Sequence, residues 1–252
     1  MSAVGWEVAI EGERARIGTA AEVVVALDVL QGHHDREVLE QLRGHLPEII
    51  GGPRGLQDVL RVLEPDDKLY LIDALGEELA GLVRDARSLR DILAMLAEEE
   101  VECRLLSTIG AEGLRCMIGT AEEASEVLEW VYGDCDELVL ELLGAGRLSE
   151  LARTGEDLAT ILRSLEPARQ KLVIEMLGWE SLPGLVQEPR DLAHLLRALP
   201  ADLSARLLEQ ITPERVRRLV PDRRAWAELE RYLESEEAEL LGRMLEVNHC
   251  AQ

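Results

Sequence analysis

The sequence predicts an all-α fold: a right-handed α-solenoid of about seven helical repeats of 34 residues, closed at its N-terminus by a short cap. Three observations carry the prediction. A leucine-rich pattern returns at Val23, Leu56, Leu89, Ala124, Leu158, Leu192 and Trp226, with gaps of 33, 33, 35, 34, 34 and 34 residues. Within each copy the apolar side chains follow helical rather than strand periodicity. Glycines return at positions 76, 110, 144 and 178, which are 34 residues apart each time. A period this constant marks one supersecondary unit repeated and stacked on itself.

Residues 1–17 form the cap segment. Trp6, Val8 and Ile10, then Ala15 and Ile17, alternate around Glu11-Gly12-Glu13, which suggests a β-hairpin. The alternative is a degenerate third helix, because Ile17-Gly18-Thr19-Ala20 matches Ile118-Gly119-Thr120-Ala121. Residues 18–247 form a single array, and residues 248–252 a tail. Each copy opens with helix A, whose apolar residues sit at offsets 0, 3, 4 and 7, as in Leu158, Ile161, Leu162 and Leu165. These offsets place four side chains on one stripe. A polar step such as Glu64-Pro65-Asp66-Asp67 or Glu166-Pro167 follows, and proline there fits the first turn of helix B. Helix B closes on a trio such as Val173, Ile174 and Leu177 and then Gly178, a residue suited to the left-handed turn past a helix. A short helix C comes next, as in Leu182, Leu185 and Val186. Thr19, Ser88, Thr120, Asp157 and Asp191 are the expected N-caps of the restarting helix A. Stacked at about 8–10 Å per helix, seven such copies would extend about 60–70 Å. The last copy is more polar, with Glu230 in a leucine slot, as a terminal repeat should be.

Composition narrows the function. The chain carries 27 basic and 50 acidic residues, a net charge of −23. Contact with a nucleic acid backbone needs a basic face, so direct nucleic-acid binding is disfavoured. Residues 98–150 hold 14 acids and 3 basic residues, a net of −11, whereas 213–231 hold 6 arginines and 4 acids, a net of +2. No membrane span is visible, and apolar runs such as 22–30 are broken by charge. Cys103, Cys116, Cys135 and Cys250 are irregularly spaced without a CxxC pair, which predicts a reduced, cytoplasmic chain. Cys103 and Cys116 read as packing residues.

Catalytic chemistry is not evident. The sequence lacks a GxSxG elbow, a phosphate loop and an HExxH pair. Asp134-Cys135-Asp136 is too short for a calcium loop. His33, His34 and His45 form the one cluster resembling a metal site, but no second group completes four ligands. The expectation is therefore no catalytic site, no metal and no cofactor. Aromatic residues are few, and on an acidic surface they mark candidate anchors. The candidate partner-binding residues are Trp130, Tyr132 and Trp179, with Glu122, Glu123, Glu126, Glu129, Asp134 and Asp136 around them.

The period and the helix-turn-helix grammar resemble the α-solenoid superfamily, of the HEAT and tetratricopeptide kind. The tetratricopeptide aromatic pattern is missing, and so is the paired-glycine base-reading loop of TAL-type repeats. The stretch from Asp191 to Pro200, followed by Leu207-Leu208, resembles the helical cytosolic domain of the magnesium transporter MgtE. It also resembles the middle part of flagellar motor-switch proteins and leucine-rich repeats of bacterial effectors. The match is leucine spacing plus one Leu-Pro turn, so it carries over no functional residue.

These readings predict a non-catalytic scaffold or adaptor that presents an elongated acidic surface to a protein partner, which the charge suggests is basic. One alternative is an acidic nucleic-acid mimic occupying the basic groove of a nucleic-acid-binding protein. Another is a regulatory or substrate subunit of a larger bacterial defence or signalling assembly.

Overall fold

Why the repeat grammar yields these elements is visible in a computed structural model, which describes residues 5–10, 13–30, 34–231, 233, 238–239 and 241–243. It is mostly helical, with one two-stranded antiparallel sheet. The chain divides into two units, Met1–Ile118 with Trp130–Leu142 and Gly119–Glu129 with Leu143–Gln252. The 248–252 tail lies outside the described residues.

The first unit begins with the hairpin, β1 (Trp6–Ile10) and β2 (Glu13–Ile17), pairing Trp6 with Ile17 and Val8 with Ala15. This excludes the degenerate-helix alternative. Val8 and Ile17 are buried, and Trp6 stacks on His45 with ring centroids 4.6 Å apart. The free edge of β1 is satisfied by a side chain. Gln41 donates from Nε2 to the Ala9 carbonyl and accepts the Ala9 N–H at Oε1, both at 2.9 Å. An amide thereby stands where a third strand would bond.

Helices then follow in A, B, C order. They are α1 (Ala20–Leu30), α2 (Asp35–Leu42) and α3 (Leu46–Ile50); α4 (Pro53–Val62), α5 (Pro65–Leu75) and α6 (Glu78–Val83); and α7 (Ala86–Leu93) and α8 (Glu99–Met117). The second unit holds α9 (Ala121–Leu128), and α10 (Cys135–Leu151) is shared between the units. It continues with α11 (Gly155–Arg163), α12 (Pro167–Leu177), α13 (Leu182–Leu185), α14 (Pro189–Ala198), α15 (Ala201–Gln210), α16 (Pro213–Leu219) and α17 (Arg223–Glu230). The opening residues of the A stripe, Val23, Leu56, Leu89, Ala124, Leu158 and Leu192, are fully buried, and Trp226 is half-buried. Within the first unit α1 packs on α4 and α4 on α7, while α2 packs on α5 and α5 on α8. Within the second, α9 packs on α11, α11 on α14 and α14 on α17. Like helices of successive copies are thus neighbours, and each buried aliphatic contributes roughly 1.5–3 kcal/mol.

The glycines take the positive φ the sequence predicts: Gly76, Gly110, Gly144 and Gly178 have φ of 49°, 68°, 70° and 80°. Their ψ values of −130°, 178°, 163° and 131° lie outside the left-handed helical conformation. At Gly110 and Gly144 the chain turns and re-enters helix at once, so α8 and α10 each carry B and C together. The caps need a correction. Thr19 and Thr120 bond the N–H groups of Glu22 and Glu123. For the others the N-cap lies three residues earlier, at Asp85, Thr154 and Glu188. Ser88, Asp157 and Asp191 are the N3 residues. In a capping box both positions are polar and reciprocal, so composition alone does not order them.

Replacing Gly144 with alanine isolates the backbone contribution, because an added Cβ there meets nothing within 4 Å. At φ of 70° and ψ of 163°, a region essentially restricted to glycine, the substitution should cost about 1–3 kcal/mol. A urea unfolding free energy lowered by that amount, read as a lower midpoint at unchanged slope, is expected, and an unchanged midpoint contradicts the turn.

Candidate functional site

The candidate site is built from a polar slot that recurs once per copy in helix B. Asp35, Lys68, Glu102, Asp136, Gln170 and Ser204 each precede an apolar pair by three residues, as in Lys68 before Leu71-Ile72. Asp136 is half-buried and the others are buried. Among the described residues, Asp191 is the one buried polar side chain outside the slot.

The slot serves the A-to-B turn. That turn leaves helix A carbonyls and following N–H groups without helical partners. In the second unit neutral donors satisfy the carbonyls of their own copy. Gln170 Nε2 bonds the Leu162 and Leu165 carbonyls at 2.8 and 3.0 Å, and Ser204 Oγ bonds those of Leu196 and Leu199 at 3.2 and 3.4 Å. In the first unit charged residues reach the next copy instead. Lys68 Nζ donates to both carboxylate oxygens of Glu98 at 3.1 Å. Glu102 Oε2 accepts the Tyr132 N–H at 3.0 Å. Beside the slot, Arg36 donates to the Asp66 carbonyl at 3.2 Å and lies 4.1 Å over the Tyr70 ring.

The Glu102 bond reaches the turn from Trp130 to Asp134. Besides the Glu102 bond, the Asp134 N–H donates to Glu99 Oε1 at 2.9 Å. Gly133, with φ of 59°, lies where a Cβ would strike the Glu99 carboxylate. At the turn's end Cys135 is joined to Cys103 by a disulfide. This corrects the expectation of packing cysteines in a reduced chain: Cys103 is cross-linked, and Cys116 is exposed. The linked residues are 32 apart, nearly one repeat, and join α8 to the start of α10. The pinned turn holds Trp130 and Tyr132 at 40% and 54% exposure.

Electrostatics under the turn is uneven. Burial raises the Glu102 carboxyl above the ordinary range; the Tyr132 N–H opposes this, and Glu99 and Glu98 add to it. Burial also acts to raise Glu98, but the Lys68 hydrogen bond, the Ala97 N–H and the Lys68 charge together leave it lowered.

Of the residues singled out in the sequence, Trp130, Tyr132 and Asp134 share this turn, and Asp136 lies in the first turn of α10. Glu122, Glu123, Glu126, Glu129 and Trp179 belong to the second unit. Glu122, Glu126 and Glu129 are exposed there. The Glu123 carboxylate bonds the Gly119 and Thr120 N–H groups, so it acts as a cap. Trp179 is half-buried under the Arg206 guanidinium, 4.3 Å from its ring centroid. His33 lies outside the described residues, His34 Nδ1 is 3.0 Å from Glu37 Oε2, and His45 stacks on Trp6. Among the described residues no group of three or more His, Cys, Asp or Glu is placed to hold a metal, and no helix is long and apolar enough to cross a membrane. The polar slot itself was missed in the sequence. Its signal is position, a polar residue three before the B-helix pair, because its chemical type changes from copy to copy.

No family model matches the chain, and no curated protein or solved structure is similar to it.

Because folding raises the Glu102 pKa, its contribution is fully present below the unfolded value and is lost as pH rises through the folded one. Glu102→Gln keeps an oxygen for the Tyr132 N–H and removes the buried charge. Chemical denaturation from about pH 4 to pH 8 should show the variant gaining on wild type as pH rises. Parallel profiles contradict this electrostatic picture.

Proposed function

We propose that this protein is a non-catalytic scaffold or adaptor whose copies stack as a right-handed α-solenoid and present the Trp130–Asp134 turn to a protein partner. The carrying observation is the pairing of two exposed aromatics with a turn fixed by Glu99, Glu102 and the Cys103 cross-link. Exposed Trp and Tyr are the residue types that most often anchor protein interfaces. Holding them in place beforehand spares the entropy lost when a loop orders on binding. The packing of like helices on their neighbours within each unit supports the stacked arrangement. As an adaptor the protein would act within a larger assembly. A second reading, acidic mimicry of nucleic acid, draws on the carboxylates that open successive B helices, Asp66 and Asp67, Glu99 and Glu100, and Asp136 and Glu137.

The test uses wild type and a Trp130→Ala/Tyr132→Ala variant as baits in extract from the host cell. A partner held by wild type should bind the variant at least about ten-fold more weakly, the loss expected for hot-spot aromatics, while the melting midpoint stays within a few degrees. Equal capture by both baits, or no protein captured by wild type, contradicts the proposal.

A further inference from the structure

The exposed apolar side chains of this protein are not scattered. Among the described residues the large ones are Val25, Val29, Val62, Trp130 and Tyr132, and all five belong to the first unit. Val29, Val62, Met95 and Trp130 also share one repeat position, the residue before the last A-stripe slot, with gaps of 33, 33 and 35. Val29 is 72% exposed and Val62 39%, and Met95 is intermediate. Because α1 packs on α4 and α4 on α7, equivalent positions stand beside one another. The inter-copy bonds Arg36 to Asp66, Lys68 to Glu98 and Tyr132 to Glu102 hold the successive A-to-B turns in line. The result is an apolar row along the A-to-B edge of the first unit.

An acidic row runs with it. Leaving out the buried Asp35 and Glu102, the first turns of α2, α5, α8 and α10 carry Glu37, Asp66 and Asp67, Glu99 and Glu100, and Asp136 and Glu137 at exposed or half-buried positions. Acids suit helix N-termini generally. That preference alone would place them equally in the second unit, yet α12 has none in its first turn and α15 has only Asp202. The second unit also lacks exposed large apolar side chains among its described residues. The two features therefore occur together and vanish together. Cations of the acidic edge are engaged, Lys68 with Glu98 and Arg36 with Asp67 and Tyr70.

We infer that this edge docks a basic amphipathic helix of a partner protein. The inference deepens the proposed adaptor role and rests on it. Four positions at about 8–10 Å per helix span about 25–30 Å. A helix of about 18 residues covers that length, and its every seventh residue advances about 10 Å. Apolar anchors at such intervals meet the row, and flanking lysines or arginines meet the carboxylates. A purely phosphate-like surface would not need the apolar row.

The experiment measures binding of synthetic peptides to the full chain by calorimetry at about 0.15 M salt, where surface charge is screened beyond about 8 Å. The probes are a leucine–lysine peptide of about 18 residues with leucines on one helical face, the same composition scrambled, and oligolysine of equal charge. The amphipathic peptide should bind at least about ten-fold tighter than either control, and Val62→Ser/Trp130→Ala should abolish that preference. Glu100→Lys, at an exposed position, should weaken it by several-fold. Absent binding, equal binding of all three probes, or indifference to Val62→Ser/Trp130→Ala overturns the inference. In each of those cases a partner captured through Trp130 and Tyr132 would leave the adaptor reading standing with a different kind of partner.

Discussion

Each copy must end helix A and begin helix B, and the buried polar contacts beneath this exposed turn are the constraint on which the other features depend. A buried donor or acceptor left unmet costs about 1–3 kcal/mol, comparable to the gain from one well-packed leucine. The helix B slot supplies the missing partners. Where it holds Gln170 or Ser204 the turn is closed within its own copy. Where it holds Lys68 or Glu102 the bond crosses to the next copy. Gln170 and Ser204 thus satisfy carbonyls of their own copy, Glu102 satisfies an N–H of the next copy, and Lys68 ties its copy to the next through the Glu98 carboxylate.

That difference has a structural consequence. A turn closed from within needs nothing from its neighbour. A turn held by its neighbour's carboxylates is fixed in position relative to that neighbour, and its outward side chains become part of a defined surface. The Trp130–Asp134 turn is the most constrained case, since two backbone N–H groups and a sulfur are all committed to α8. Burying Glu102 to achieve this is electrostatically unfavourable, as its raised pKa shows.

Much of this was legible in the sequence, for a physical reason. Burial in a repeat stack is periodic, so the leucine slots at Leu56, Leu158 and Leu192, and the positive-φ turns at Gly76 and Gly178, show as spacing alone. The hairpin was readable from the alternation at Trp6 and Val8, although Gln41 closing its edge was not. The polar slot escaped because several side-chain types satisfy the same turn. The Cys103–Cys135 link escaped because a cysteine motif search looks for short spacings, while a stack brings together residues one period apart. Exposure of Val29 and Val62 was hidden for the opposite reason: an aliphatic residue in an aliphatic-rich helix gives no sign of which side it faces.

The account turns on whether the aromatic turn is held by its neighbour. Amide hydrogen exchange at Tyr132 and Asp134 reads this most directly, since those two N–H groups donate to the carboxylates of Glu102 and Glu99. Protection approaching that of the amides within α8 is the predicted result. Exchange at the rate of an open loop would contradict it, and with it the idea of a surface organised for binding.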